Sequence, residues 1–160
     1  MESEKNSRVH LFLSEDFVAL QEEIEKARAG FLEAMRTQKG VMFGGECQGG
    51  DDLGIANDVQ VQGTRFRLLE SLTHNIRIVS ANGSNRVGLG KTVTLEFPST
   101  GKKETFIVRG CWFRRETKEH IPSISCCSPL ARIIVGAQVG EKRRGVVAGE
   151  DQTIKVLQIE

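Results

Sequence analysis

The sequence predicts an α+β protein with two parts: an N-terminal antiparallel helical hairpin, and a C-terminal antiparallel β domain with one short helix. Three observations predict it. In the first half, apolar residues recur at steps of three and four, the spacing of an amphipathic helix. A glycine-rich segment separates two such stretches. In the second half, apolar residues fall in short runs of β-forming residues bounded by turns.

The first helix is predicted to begin at Ser14, because its hydroxyl is a suitable N-cap and two acids follow in the first turn. It is expected to end near Thr37 or Gln38, since Gly40 is a stop signal. Its apolar seam has the spacing of a heptad repeat and consists of Phe17, Leu20, Ile24, Ala27, Phe31 and Ala34.

A second helical pattern begins near Asn57 or Asp58 and is expected to end between Asn75 and Val79. Each helix offers one narrow apolar stripe on an otherwise polar surface. An antiparallel coiled coil fits such a stripe better than two helices buried in a larger core. The predicted hairpin therefore occupies residues 1–80. The seam of its second helix consists of Val59, Phe66, Leu69, Leu72 and Ile76.

The predicted tip of the hairpin is the segment 39–56, which contains six glycines and no proline. This composition indicates a flexible loop. The loop also carries three acids, Glu46, Asp51 and Asp52. Acidic residues are common in solvated loops, so the residues alone leave open whether these acids are surface charge or ligands.

The C-terminal domain is predicted to span residues 82–160. Its expected strands are Thr92–Phe97, Thr105–Arg109 and Ile154–Ile159, with a turn between the first two. A short helix should follow Ser128, which can cap it, with Pro129 at the first position and an end at Gly136.

Composition excludes several classes of function. The formal net charge is +1, so no bulk field draws the chain to DNA, and any contact with nucleic acid should be indirect or local. No apolar run approaches the roughly 18 residues that a membrane span needs. The polar N-terminus has no apolar signal core. We therefore expect a cytoplasmic monomer without a membrane partner.

Two further features of the sequence, the cysteines and a glycine-lysine run, do not predict a binding site. The four cysteines, which include the adjacent pair Cys126 and Cys127, show no C-x-x-C spacing, and this favours reduced thiols over a disulfide or metal site. The run Gly88–Thr92 looks like the end of a phosphate-binding loop. However, Asn85 stands where that motif needs glycine, and β-forming residues follow where it needs a helix.

The order of motifs in the second half resembles the C-terminal domain of the bacterial Gre transcript-cleavage factors. The motifs are Val87–Leu95, the run Ser-Pro-Leu-Ala-Arg at 128–132, the turn Gly136–Glu141 and the final strand. The resemblance implies the fold of FK506-binding proteins (FKBP-like) for this domain. It also implies that the domain docks on bacterial RNA polymerase. The partner-binding residues it suggests are Ser128, Pro129, Leu130 and Arg132.

The resemblance further implies that the hairpin enters the secondary channel of RNA polymerase. There Glu46, Asp51 and Asp52 would act at the polymerase active site during cleavage of backtracked RNA, which is contacted within the complex. Asp51 and Asp52 would help to hold a Mg²⁺ ion shared with polymerase. The protein would have no cofactor of its own and would not itself be an enzyme.

The tip departs from the usual family motif, G-D-L-x-E-N-A-E-Y. If Asp52-Leu53 matches its D-L, the second acid falls on Ile55; counting along the helices instead gives Glu46 with Asp51 or Asp52. In both registers the tyrosine is absent. Two functions therefore remain open: stimulation of RNA cleavage, or regulation or inhibition of polymerase through the same channel without cleavage. Prolyl isomerase activity would rest on fold alone and is disfavoured.

Overall fold

The structure is a computed structural model that describes residues 9–43, 52–80, 83–114 and 120–160, with the backbone alone for 40–43 and 52–53. The described part is α+β, as predicted. In chain order the elements are β1 (His10–Phe12), α1 (Ser14–Phe43), α2 (Asp52–Ser71), β2 (Ile76–Ile78), β3 (Thr92–Phe97), β4 (Lys102–Arg109), β5 (Ser123–Ser125), α3 (Pro129–Ile134), β6 (Lys142–Val147) and β7 (Glu150–Ile159).

Helices α1 and α2 pack along the predicted seam, except that Leu72 and Ile76 lie beyond the end of α2. Leu20, Ala27 and Ala34 are buried at intervals of seven residues, as the heptad pattern requires. Across the seam the rings of Phe31 and Phe66 stack with centroids 6.3 Å apart and planes at 13°. Helix α1 has 30 residues, which corresponds to about 45 Å of axial length.

Both helices extend into the segment 39–56 that was predicted to be a loop. Helix α1 continues through Gly40 to Phe43, and α2 begins at Asp52. One glycine costs a helix only about 1 kcal/mol, which does not end a long helix that packs along its length. Asp52 is the first residue of α2, and acids are favourable in the first turn of a helix because the helix dipole is positive there.

The predicted end of the second helix was also wrong, because α2 stops at Ser71. Asn75 takes a left-handed conformation with φ of 55°, and Ile76–Ile78 form β2. That strand pairs in parallel with β1, so that His10 lies opposite Ile76. Residues 76–78 carry two β-branched side chains, which favour a strand where a partner is available.

The second half contains a five-stranded sheet in the order β5-β4-β3-β7-β6. Its strands pair antiparallel except β5, which runs parallel to β4. Helix α3 covers one face and buries Ile134 in the core. The fully buried core side chains on the strands are Val93, Leu95, Val108, Ile154 and Val156.

Strand β1 brings the base of the hairpin against the end of β4. The backbone N–H of Cys111 donates to the carbonyl of Leu11 at 2.8 Å. A Cβ added at Gly110 would lie 2.5 Å from that same carbonyl oxygen, so only glycine allows this approach. The hairpin and the sheet are thus joined through backbone contacts as well as side chains.

Candidate functional site

Of the three acids predicted at the hairpin tip, two lie between α1 and α2 in the sequence and the third is the first residue of α2. Glu46 and Asp51 lie outside the described residues, and Asp52 is described only as the first backbone position of α2.

The base of the hairpin is held by Arg109, the last residue of β4. Its guanidinium contacts Glu15 and lies 3.7 Å from Asp16, both in the first turn of α1. Asp16 is 6% exposed, whereas the side chain of Glu15 is 68% exposed. A buried carboxylate needs a charge partner, and Arg109 supplies it from the sheet.

A second ion-pair group lies about two turns further along α1 and connects three elements. Arg114, beyond the end of β4, donates to Glu22 at 3.2 Å and lies 3.8 Å from Glu23. Glu23 also binds Arg65 of α2. Glu23 therefore links both helices of the hairpin to the loop that follows β4.

A cavity of about 680 Å³ lies at this junction between the hairpin and the sheet. The residues Glu23, Arg65 and Arg114 line one part of it. Strand β5 and the segment that follows β4 supply most of the rest. The remaining lining residues are Leu69, Cys111, Trp112, Phe113, Ser123, Ile124, Ser125 and Ser128.

Three of the four cysteines meet beside this cavity. The Sγ atom of Cys111 is 3.8 Å from that of Cys126 and 2.9 Å from that of Cys127, and the latter two are 3.9 Å apart. Cys127 is exposed and the other two are half-buried. Burial raises the pKa of Cys126 above its usual range, and the neighbouring thiols raise it further. Burial also raises the pKa of Cys111. Cys47 lies outside the described residues.

The residues suggested for polymerase docking lie on and before α3, and the structure gives them different surroundings. Ser128 is the N-cap, accepting from the N–H of Ala131 at 3.2 Å, as predicted. Leu130 packs against the core. Pro129 and Arg132 are exposed. Two of these residues therefore serve the fold directly, while the other two face solvent.

The turn after α3 is organised by Glu141. Its carboxylate accepts from the backbone N–H of Gln138 and from Arg143, both at 2.9 Å. Arg143 also donates to the carbonyls of Ile133 and Val135, where the helix ends. The hydrogen bond from Gln138, followed by that from Arg143, lowers the pKa of Glu141. This network fixes the turn beside α3.

The sequence did not reveal the junction or the cysteine cluster. The pairs Arg109–Asp16 and Arg114–Glu22 join residues more than 90 positions apart, and so does the contact of Leu11 with Cys111. The one available signal was the adjacent pair Cys126-Cys127 in a chain with a third cysteine just beyond a predicted strand. The sequence does not show that β4 pairs with β5, so it could not predict that the three cysteines lie together.

The fold and this site define a class of protein: a long two-helix hairpin fixed by ion pairs and a strand pair to a β domain with one short helix. Residues 82–160, about half of the chain, match the family described as "Transcription elongation factor, GreA/GreB, C-term". Through this domain the chain belongs to the GreA/GreB family of transcription elongation factors.

Two sequence relatives agree with this assignment. The chain is 30% identical over 97 residues to the transcription elongation factor GreA of Bacillus licheniformis, and 32% identical over 96 residues to GreA of Bacillus subtilis. Each match covers 59% of this chain and about 60% of the length of the relative.

Among solved structures, the GreA factor homolog 1 (Gfh1) of Thermus thermophilus is 19% identical to this chain. The match covers 96% of this chain and 99% of the Gfh1 chain, with a TM-score of 0.46. Within the described residues, no helix is long and apolar enough to cross a membrane.

Proposed function

We propose that this protein is an elongation factor that docks on bacterial RNA polymerase through its β domain. The hairpin then enters the secondary channel and stimulates cleavage of backtracked RNA. One observation carries the proposal: a β domain of the GreA/GreB family holds a hairpin of about 45 Å, and two acids lie between its helices in the sequence with a third at the first position of α2.

The reach of the hairpin depends on its stiffness and on its attachment. The seam between α1 and α2 keeps the two helices together over their length. The pairs of Arg109 with Asp16 and of Arg114 with Glu22 fix the base of α1 to the sheet. A docked β domain would therefore deliver the tip to a defined place rather than to a wide range of positions.

Docking itself is assigned to the surface at α3. Pro129 and Arg132 are exposed there. Ser128 caps the helix, and Leu130 packs against the core of the domain. Exposed apolar side chains on the same half of the chain, Val135 and Val139, add contact area of the kind that protein interfaces use.

At the tip, carboxylates are the groups that Mg²⁺ requires, since it prefers oxygen ligands and accepts one or two carboxylates with several waters. Glu46, Asp51 and Asp52 would complete the shell of an ion held jointly with polymerase. When bound, such an ion lowers the pKa of a water molecule and stabilises charge on the phosphoryl group. The chain itself supplies oxygen ligands and their placement, without a catalytic centre of its own.

A second function is favoured by one feature of the sequence. Aligning Asp52-Leu53 with the family motif puts Ile55 in the position of the second acid, and the motif tyrosine is absent. A hairpin that enters the channel without a full set of acids would regulate or inhibit polymerase and would not stimulate cleavage.

The test is a transcript-cleavage assay on a halted bacterial elongation complex, with wild type and the double variant Asp51→Asn/Asp52→Asn. Asparagine keeps the size but removes the charge, so the variant should bind polymerase normally. Its cleavage should fall by roughly tenfold to a thousandfold, the range found when one stabilising group is removed from an active site. Glu33→Gln is the matched control, because Glu33 is an exposed acid on α1 that pairs only locally with Arg36.

The outcomes separate the two functions. If wild type binds polymerase and slows elongation without cleavage, the regulatory function is correct. If the double variant cleaves as fast as wild type, Asp51 and Asp52 are not needed for cleavage and Glu46 becomes the next residue to test. If wild type does not bind polymerase, both functions are wrong.

A further inference from the structure

We propose that Cys111, Cys126 and Cys127 form a binding site for a soft, thiophilic cation such as Zn²⁺. Their three Sγ atoms lie within 4.8 Å of one another. This site is distinct from the acids at the hairpin tip, because it lies at the junction of the hairpin with the sheet and offers sulfur instead of oxygen. It does not depend on the proposed function.

The topology of the sheet brings the three cysteines together. Strands β4 and β5 are parallel, and Arg109 lies opposite Ser125. Parallel strands leave the sheet at the same edge, so the residues that follow them emerge side by side. Cys111 is the second residue after β4, and the Cys126-Cys127 pair follows β5 directly.

Ser125 fixes the two cysteine-bearing segments relative to each other. Its hydroxyl donates to the carbonyl of Gly110 at 3.1 Å and accepts from the backbone N–H of Cys127 at 3.2 Å. The N–H of Cys126 donates to the carbonyl of Arg109 at 2.9 Å. The backbone around the thiols is therefore ordered by hydrogen bonds that do not use the thiols.

The distances between the sulfur atoms fit tetrahedral coordination. With Zn–S bonds of about 2.3 Å, the ligand sulfurs of a tetrahedral site are about 3.8 Å apart. The separations of 3.8 Å and 3.9 Å from Cys126 already have this value. The third separation, 2.9 Å between Cys111 and Cys127, must widen, and the exposed side chain of Cys127 has room to move.

The chemistry of the donors selects the class of cation. Thiolates favour Zn²⁺ and Cu⁺ over Mg²⁺ or Ca²⁺, which require oxygen ligands. Three protein ligands leave a fourth position for water or another donor. The cavity beside the thiols provides space for it.

Binding at this site would stiffen the attachment of the hairpin. Leu11 of β1 donates from its backbone N–H to the Sγ of Cys111 at 3.3 Å and accepts from the N–H of Cys111. Arg114, three residues beyond Cys111, binds Glu22 and the carbonyl of Ala19 on α1. A cation that holds Cys111 to the end of β5 would therefore hold the base of the hairpin to the sheet.

The experiment uses the full chain, reduced with a phosphine, stripped by a chelator and kept anaerobic. Zn²⁺ is then titrated against a chromophoric competitor. We expect one Zn²⁺ per chain and, with Co²⁺ in its place, an intense sulfur-to-cobalt charge-transfer band. A parallel titration with Cu⁺ establishes which of the two cations binds more tightly, and either preference agrees with a soft-cation site.

Cys111→Ser, Cys126→Ser and Cys127→Ser should each weaken Zn²⁺ binding by at least about a hundredfold, because loss of a group that merely orients a ligand already costs about tenfold to a hundredfold. Cys47→Ser is the control and should bind like wild type. Far-UV circular dichroism verifies that each variant is folded, and the Co²⁺ band of wild type reports thiolate ligation independently of the variants.

Three results would overturn the proposal. The first is reduced wild type that binds no Zn²⁺ and shows no Co²⁺–thiolate band. The second is folded variants of the three cysteines that all bind like wild type. The third is a reduced chain that fails to bind the cation and only closes into a Cys111–Cys127 disulfide on exposure to oxygen, detected as a loss of two hydrogens by mass spectrometry.

Discussion

Arg109 shows how two neighbouring acids with the same partner have different roles. Glu15 and Asp16 both lie in the first turn of α1, so both interact equally with the helix dipole. They differ in burial, since Asp16 is enclosed and Glu15 is largely solvated. Solvent screens the pair with Glu15, whereas the carboxylate of Asp16 depends on its protein partners.

We therefore expect Asp16→Ala to lower the free energy of unfolding by about 2–3 kcal/mol. This is somewhat below the usual cost of breaking a buried pair, because Arg109 keeps Glu15. Glu15→Ala should cost less than about 1 kcal/mol. Urea unfolding followed by circular dichroism measures both. Equal losses in the two variants would mean that burial of Asp16 does not determine the strength of this junction.

Glu141 gives a prediction about pH. Its pKa is lowered in the folded protein by the N–H of Gln138 and by Arg143. A lowered folded pKa means that the unfolded chain takes up the proton first as pH falls. The stabilisation is complete above the ordinary glutamate pKa of about 4.3 and is lost as pH falls toward the lower folded value.

Glu141→Gln removes this titration while keeping a side chain of similar shape. Its melting temperature should lie below that of wild type at pH 7, and the difference should shrink between about pH 5 and pH 3. Glu150→Gln is a suitable control, since Glu150 is an exposed acid in the same half of the chain. A difference between wild type and Glu141→Gln that stays constant down to pH 3 would contradict the assignment.

At the scale of elements, the sequence predicted those helices and strands whose signals lie within a few neighbouring residues. The heptad seam predicted α1, and the alternation at Thr92–Phe97 predicted β3 with the bounds that the structure has. Ser128 and Pro129 predicted α3 because a cap and a first-turn proline act within a few residues. Strands β1 and β2 have three residues each and pair across 66 positions of sequence, so neither carries a signal of its own.

Helices α1 and α2 approach each other closely where Gly30 and Gly63 face the opposite helix. A Cβ added at Gly30 would lie 3.4 Å from the amide oxygen of Gln62, whereas one added at Gly63 would lie 2.9 Å from the ring of Phe31. That ring is also stacked on Phe66 and has little freedom to withdraw. The two glycines therefore tolerate a methyl group differently.

Gly30→Ala and Gly63→Ala form a matched pair, because each replaces a helical glycine and should gain up to about 1 kcal/mol of helix propensity. We expect Gly30→Ala to stabilise the protein by several tenths of a kcal/mol or more. Gly63→Ala should lose this gain to the contact with Phe31 and be neutral or destabilising. Thermal melts at 222 nm measure both; a larger stabilisation from Gly63→Ala would show that the helices separate easily at this point.

At the scale of the whole molecule, the sequence predicted the two kinds of structure but not how they are joined. The junction depends on Arg109, Arg114 and Gly110, none of which has a distinctive local pattern. The same holds for the cysteines, which meet only because β4 and β5 are parallel. The sequence predicts acids at a tip because a glycine-rich segment between two helical seams is itself a local pattern, and Glu46 and Asp51 lie outside the described residues.

Among the residues that the structure describes, the core of the β domain is formed by the second half of the chain, from Val87 to Ile159. A fragment of residues 82–160 should therefore fold without the hairpin. If docking on polymerase belongs to this domain, the folded fragment should displace the full chain from RNA polymerase in a competition assay, while a fragment of residues 1–80 should displace it far less. The fragment should also fail to stimulate cleavage, because it lacks the tip acids.

Arg132→Glu in the fragment tests the assigned surface, since reversing an exposed charge weakens docking there without loosening the core. A folded fragment that cannot compete would place the docking surface on the hairpin or across the junction.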